Sequence, residues 1–505
     1  MRLILRKMKE EPTESYSHIL KYTGIFGGVQ GLNILVSLVR NKLVALILGP
    51  SGMGLASLFS TTVSFISQAT NFGISFSAVK HVSEFFDAGD EERIAHFVKV
   101  VRSWSLLTAL LGMLVCILAG PLLSDYTFSW GNHTLHFILL SPAVGLMAIA
   151  GGETAILKGA RRLRALAVIQ IYSILATLLI SVPLYYFFGE AAIVPVIVLM
   201  ALVSMLITIR FSYSFYPLRL MGAKGVLGEG MAMIRLGIAF VLAGILGSGA
   251  EMLIRSYLNV AGSLADVGFY NAGYMLIVTY AGTVFTAMET DYFPRLSAVC
   301  HQTDQQNLMV NRQIEVSLLI AAPMLAILLI GLPLFVPLLY SAKFLPIVTM
   351  AQAAIFSMYI KSVSLPIAYL TLAKGDSLAY LVLEAIYDML VVALVVVGYE
   401  NWGMLGTGWA LSVSYLIDIL YIYGYARWRY GYRMSKQVVQ YMAIQYPIGM
   451  AAYIVTFIDN PYIYWTLGVL LCFVSLAISV YVLHQKTSLW NALQLKVKSK
   501  FARHD

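Results

Sequence analysis

Charge is what this sequence has least of: Asp, Glu, Lys and Arg make up 12% of its 505 residues, about half the share of roughly 25% usual in soluble globular domains. So few charges cannot coat a soluble protein of this size or keep a chain disordered. The three cysteines, Cys116, Cys300 and Cys472, fall in or beside apolar runs, at spacings that match neither a disulfide framework nor a metal site, so they read as packing residues. There is no Gly-x-x-x-x-Gly-Lys-[Ser/Thr] loop, no His-Glu-x-x-His, no Gly-x-Ser-x-Gly, and the eight histidines hold no metal-ligand spacing. These absences argue against ATP hydrolysis, hydrolytic chemistry, a bound metal and any resident cofactor. Residues 1–14 are basic, then acidic and polar, without a short apolar segment ahead of a small-residue cleavage site, so the first helix is expected to be retained.

What fills the space is hydrophobic: 59% of the chain, with mean hydropathy +0.80. Apolar runs of about 20 residues, the length that spans a hydrocarbon core, lie near 19–48, 54–79, 100–120, 134–157, 165–188, 191–212, 232–258, 266–290, 314–340, 346–372, 377–398, 403–425, 438–458 and 462–483. The expected fold is an all-α polytopic membrane protein of about fourteen transmembrane helices. Alternate loops concentrate the cations, among them Lys80, Arg93, Lys99 and Arg102, then Lys158 to Arg164, then Arg427 to Lys436 and the tail Lys486 to Arg503. That positive-inside pattern puts both termini in the cytoplasm. It also accounts for the net charge of +9 without invoking nucleic acid. The outward loops are short, and the basic tail is suited to the anionic inner leaflet.

An internal repeat emerges at an offset of about 215 residues. Lys21 falls near Arg235, Arg40 on Arg255, Gly54 near Gly268 and Lys80 on Arg295; Leu38-Val39-Arg40 matches Leu253-Ile254-Arg255. Six helices per copy is an even number, so the copies keep one orientation in the membrane and are parallel repeats. The expected organisation is a lobe over 1–225, a second over 226–430, and two extra helices with a basic tail over 431–505.

Arg40 lies inside an apolar helix that ends at Gly49-Pro50. A charge at that depth costs several kcal/mol, roughly 2.5–3.5 on insertion scales, and is normally aimed at a polar cavity or a ligand. At about 100° per residue, Gln30, Asn33, Ser37 and Arg40 share one face, whereas Lys42 points away. In the repeat-equivalent helix Gly244, Ser248, Glu251, Arg255 and Asn259 line up likewise. Arginine's planar fork suits phosphate oxygens, so these stripes are candidate anion sites. Arg255 has a second reading, as the i,i+4 partner of Glu251. A further constellation comes from the hairpin centred near Lys374 and Gly375, which sets Lys361 opposite Asp388 with Glu384 one turn away. It is either a neutral pair tying two helices together or a site coupling transport to H⁺ or Na⁺.

The segment from Arg40 to Leu55 with the polar helix after it, Val267-Gly268-Phe269-Tyr270-Asn271-Ala272, and Phe293-Pro294-Arg295-Leu296-Ser297 together resemble the Wzx-type O-antigen flippases. These are polysaccharide biosynthesis proteins of the multidrug/oligosaccharidyl-lipid/polysaccharide exporter superfamily. The resemblance runs along essentially the whole chain on diffuse motifs. It implies two parallel six-helix repeats around a central cavity plus two extra C-terminal helices. It also implies a bacterial inner-membrane location, an undecaprenyl-pyrophosphate-linked oligosaccharide as substrate, membrane lipids around it and glycan polymerase machinery as a partner. Arg40 and Arg255 would be cavity arginines, and Glu251 stands where members often carry Asp. A lipid II flippase and a multidrug cation antiporter of the same superfamily are the alternatives, the latter disfavoured by arginine in both stripes.

Overall fold

In the computed structural model the backbone is described for residues 2–128, 131–218 and 223–486. Side chains are described within 31–485, apart from 75, 76, 87, 129, 130, 163, 219–227, 229, 230, 232–240, 286–291 and 294. Among the described residues every element is helical. In order these are α1 (Arg2–Thr70), α2 (Ile74–Asp87), α3 (Glu91–Thr127), α4 (Thr134–Gly159), α5 (Leu163–Phe188), α6 (Ile193–Phe215) and α7 (Ala223–Ala261). There follow α8 (Leu264–Tyr274), α9 (Thr283–Val299), α10 (Thr303–Leu339), α11 (Ile347–Ala373), α12 (Ser377–Tyr430), α13 (Lys436–Val455) and α14 (Pro461–Lys486). A π-helical stretch, Met275–Ala281, separates α8 from α9.

Ten helical stretches among the described residues are long and apolar enough to cross a membrane, where hydropathy along the sequence marks fourteen runs. The difference has a physical origin: glycine turns join three pairs of runs into single stretches, and the run at 266–290 is divided among α8, the π-helical stretch and α9, each shorter than a span. A straight helix as long as α1, 69 residues, would reach about 100 Å, against a hydrocarbon core of about 30 Å. Gly49 (φ 65°, ψ −171°) divides it into two limbs. In α12 the break is Gly403 (φ 56°, ψ −139°), and the chain demonstrably turns back there. Tyr421 donates to the carbonyl of Leu383 at 3.3 Å and Tyr430 to the Asp376 carboxylate at 3.0 Å. Gly398 and Gly406, eight residues apart and so separated by about 12 Å in a straight helix, touch backbone to backbone. The α5–α6 connection uses the same device at Gly189 (φ 56°, ψ −136°). Positive φ of this kind is open to glycine because it has no Cβ.

These turns extend the repeat seen in the sequence. Gly189 and Gly403 stand at the repeat offset with nearly identical dihedrals. Arg161 (φ 51°) and Gly375 (φ 71°) likewise stand at equivalent turns, each leading into the next helix. The second copy supplies glycine where the first holds an arginine in the left-handed region.

Two compact units are distinguished, Met1–Asn271 with Leu339–Ser341, and Ala272–Leu338 with Ala342–Asp505. In the first, α2 to α4 enclose a core around Ile74, Val82, Phe97, Val101, Trp104 and Ile156. Its centre of gravity is a buried ion pair. The Arg102 guanidinium meets both oxygens of Glu153 at 2.8 and 3.1 Å, each side chain 3% exposed. It also donates to the carbonyls of Tyr216 and Pro217, both at 2.8 Å. Ser212 donates to Glu153 at 2.5 Å, and the guanidinium lies 4.4 Å from the centre of the Tyr213 ring. The expectation that Arg102 is a loop cation of the positive-inside pattern is therefore corrected: it lies within α3 and ties α3, α4 and the end of α6. In the second unit, α9 to α13 surround Tyr292, Ile314, Val363, Leu370, Tyr432 and Val438.

Leaving one member of a buried pair without the other costs about 3–5 kcal/mol. Glu153→Ala should therefore lower the thermal unfolding midpoint in detergent strongly, and Arg102→Met with Glu153→Met should recover part of that loss. A double variant no better than the single one would show that the two charges are not energetically coupled.

Candidate functional site

The first-unit site begins on the limb of α1 ahead of Gly49. Asn33, Ser37 and Arg40 are half-buried along one face, while Leu35 and Val39 on other faces are 63% and 52% exposed, the exposure of a lipid-facing surface. Ser37 donates to the Asn33 carboxamide oxygen at 3.2 Å. Arg40 Nε donates to Ser181 Oγ on α5 at 3.1 Å, and Ser181 donates in turn to the carbonyl of Thr177 at 2.6 Å. Gln30 lies outside the residues whose side chains are described.

Past Gly49, the second limb of α1 runs antiparallel to α7 and the start of α8. Gln68 lies beside Gly244, Phe65 beside Gly249, and Pro50 and Gly54 against Leu264 and Gly268. A Cβ at Gly54 or Gly268 would strike the opposing backbone, so the two repeat-equivalent glycines are what allow the segments to close. That approach brings Arg255 within reach of α1. It is 4% exposed, and its Nε donates to Ser57 Oγ at 3.0 Å. Its Nη atoms donate to the Glu251 carbonyl at 3.1 Å, the Glu251 carboxylate at 3.3 Å and Asn271 Oδ1 at 3.2 Å. Both readings of Arg255 taken from the sequence bear on it: it does pair with Glu251, and it is also enclosed. Glu251 keeps 45% of its side chain exposed. Ser248 donates to Gly244 of its own helix at 2.8 Å, and Asn259 donates to the Thr127 carbonyl at 2.8 Å. The Asn259 amide thus fastens α7 to the end of α3.

The second-unit cluster is larger than the sequence suggested. Lys361 on α11 and Glu384 on the first limb of α12 line a cavity of about 200 Å³ together with Tyr380, Tyr387, Tyr415 and Asp418. Lys361 Nζ is 5.9 Å from the Tyr415 ring centre. Asp418, on the returning limb, is 6% exposed, with the hydroxyls of Tyr421 and Ser364 beside it. The charges of Asp388, Asp418 and Lys361 all act on Glu384. Asp418 was missed because hairpin counting from Lys374 stops before the second limb of α12. The signal was present: a lone carboxylate in the run Leu411–Ile422. Glu153, inside another apolar run, was missed in the same way.

The sequence profile of the polysaccharide biosynthesis proteins matches residues 43–349. The chain belongs to the polysaccharide biosynthesis protein family. No curated protein matches it significantly. Among solved structures this family member resembles a multidrug resistance transporter of the MATE family in the MOP superfamily, in an inward-facing conformation. The two are 13% identical with a TM-score of 0.66, over 79% of this chain and 94% of the other. It resembles the lipid II flippase MurJ in an inward closed conformation at 15% identity and TM-score 0.66, over 91% and 99% of the two chains. A third likeness is a MOP superfamily transporter from Pyrococcus furiosus, whose reversed binding-pocket polarity suggests a different function. It is 14% identical, with TM-score 0.58 over 81% and 94%. At such identities these likenesses establish the fold: a multi-pass helical membrane protein with the architecture of that transporter superfamily.

Arg255→Ala removes a buried cation with four recorded hydrogen bonds and strands the groups around it, so it should destabilise the protein by about 2 kcal/mol or more. Arg40→Ala, at a half-buried position, should cost less. Thermal unfolding of both purified variants checks the ranking; the reverse order would show that Arg40 is the structural arginine.

Proposed function

We propose that this polysaccharide biosynthesis protein is a flippase that moves undecaprenyl-pyrophosphate-linked oligosaccharide, an O-antigen or capsule-type repeat unit. Transfer runs from the cytoplasmic to the outer leaflet of the bacterial inner membrane by alternating access, with both termini in the cytoplasm. The observation that carries this reading is an arginine, Arg40, on a polar face with Asn33 and Ser37 inside an apolar helical stretch, in a chain of this family. The physical problem of the reaction is to take a pyrophosphate and sugars through hydrocarbon while the prenyl tail stays in lipid. Arg40 supplies a planar, permanently charged donor fork for phosphate oxygens. Asn33 and Ser37 supply neutral donors and acceptors to hydroxyls beside it, and Ser248 stands on the matching stripe of α7. Arg255, held by Ser57, Glu251 and Asn271, fixes the scaffold and contributes positive field. Lipid II is a substrate of the same chemistry, and the MurJ likeness keeps it as the second reading. A cation antiporter is disfavoured by arginine on both faces.

The second-unit cluster supports a coupling role within this proposal. Three carboxylates, Glu384, Asp388 and Asp418, stand against the single ammonium of Lys361, and like charges in a low dielectric cannot all stay ionised together. Such a cluster takes up a proton or Na⁺ to balance itself, and loading and unloading it from opposite sides would drive transport.

Arg40→Ala should abolish surface glycan display while membrane insertion is retained; normal display would eliminate the binding role of Arg40. Asp388→Asn and Asp418→Asn should each leave transport less responsive to an imposed H⁺ or Na⁺ gradient. Unchanged gradient dependence in both variants would remove the coupling role and leave a structural ion pair.

A further inference from the structure

We propose that the end of the second unit where α10, α12 and α13 meet is a binding site for the headgroup of a zwitterionic aminophospholipid, one carrying a phosphate and a primary ammonium. The site is separate from the transport residues, and its failure would leave the flippase reading untouched.

A cavity of about 440 Å³ lies there, lined by Asp304, Asn307, Arg427, Tyr432 and Arg433 among others. Three membrane-crossing stretches have an end at this level, at Thr303, Tyr430 and Lys436. The cavity therefore lies at the shared polar end of three apolar stretches, the side of a span on which headgroups are met. The cations of the 427–436 segment put this end on the cytoplasmic side by the positive-inside pattern. Trp428, next to Arg427, is 79% exposed, as expected of an amphipathic ring set among headgroups.

The site is built rather than incidental. The loop after α12 turns at Gly431 (φ 65°) and is held to α10 at several points. Gln306 donates to the Tyr430 carbonyl at 3.3 Å, Asn307 to that of Gly431 at 3.2 Å and Asn311 to that of Arg433 at 2.9 Å. The Asn311 oxygen accepts from Tyr432 at 3.0 Å and from the Ser435 amide at 2.9 Å. The backbone carrying Arg433 is thus fixed before any ligand arrives. Arg427 spends one Nη on Tyr423 at 3.4 Å, and a guanidinium has five N–H donors.

The chemistry of the lining selects the ligand. Arg427 and Arg433 suit a phosphate. Asp304, exposed on the cavity wall, can only accept. A purely anionic headgroup would find Asp304 repulsive. A quaternary ammonium has no N–H to donate to it. A primary ammonium has three donors and answers the carboxylate while its phosphate meets the arginines.

The test is native mass spectrometry of the full-length detergent-purified protein titrated with phosphatidylethanolamine, phosphatidylcholine and phosphatidylglycerol of identical acyl chains. The wild type should retain phosphatidylethanolamine about fivefold more tightly than either of the others, the scale of one exposed ion pair. Arg427→Ala with Arg433→Ala should weaken retention of the ethanolamine lipid about tenfold or more, through the lost charge-assisted hydrogen bonds to phosphate. Asp304→Asn should keep phospholipid retention but abolish the preference for ethanolamine. All three substitutions are at exposed side chains, and an unchanged unfolding midpoint confirms folding. No preference among the lipids, or a preference indifferent to all three substitutions, would overturn the proposal. So would equally tight binding of water-soluble phosphoethanolamine, which would assign the site to a soluble ligand.

Discussion

A charge in hydrocarbon must be answered by something, and this chain depends on how few such charges it has and how each one is answered. Arg102 and Glu153 answer each other: the guanidinium meets both carboxylate oxygens and two backbone carbonyls, four of its five N–H donors. With both side chains 3% exposed, that arrangement is closed. Arg255 is answered by neutral groups and by a glutamate still half in the open. The cluster around Lys361 faces a cavity and holds more carboxylates than cations. Going from closed pair to open cluster is going from architecture to chemistry.

The repeat organises this distribution without duplicating it. The turns correspond, Gly189 with Gly403 and Arg161 with Gly375, and the cations Arg40 and Arg255 stand at equivalent positions. The acidic cluster has no such echo: at the repeat offset from Lys361, Glu384, Asp388 and Asp418 the first copy carries Met147, Gln170, Ile174 and Ser204. Duplication preserved the backbone devices, and the charges that distinguish the copies were set separately.

The all-helical membrane fold was legible in the sequence because apolar runs report span length directly. Arg40, Arg255 and the Arg255–Glu251 pairing were legible for the same reason: a charge inside an apolar run is conspicuous, and i,i+4 spacing is local. The Gly54–Gly268 approach was visible only as a matched pair in an alignment of repeats; that the two glycines pack against each other is a three-dimensional fact. Arg102 and Glu153 were hidden because their partnership spans 51 residues and Arg102 lies near a span end, where a cation ordinarily reads as a loop residue. Asp418 was hidden because the hairpin that returns it to Lys361 folds at a single glycine.

The central claim is that the chain carries a lipid pyrophosphate across the bilayer. Proteoliposomes containing the purified protein, loaded with undecaprenyl-pyrophosphate oligosaccharide or with a neutral prenyl glycoside bearing the same sugars, test it most directly when appearance of glycan in the opposite leaflet is followed over time. The account predicts protein-dependent movement of the pyrophosphate lipid and little of the neutral one. Equal movement of both, or of neither above empty liposomes, would contradict it.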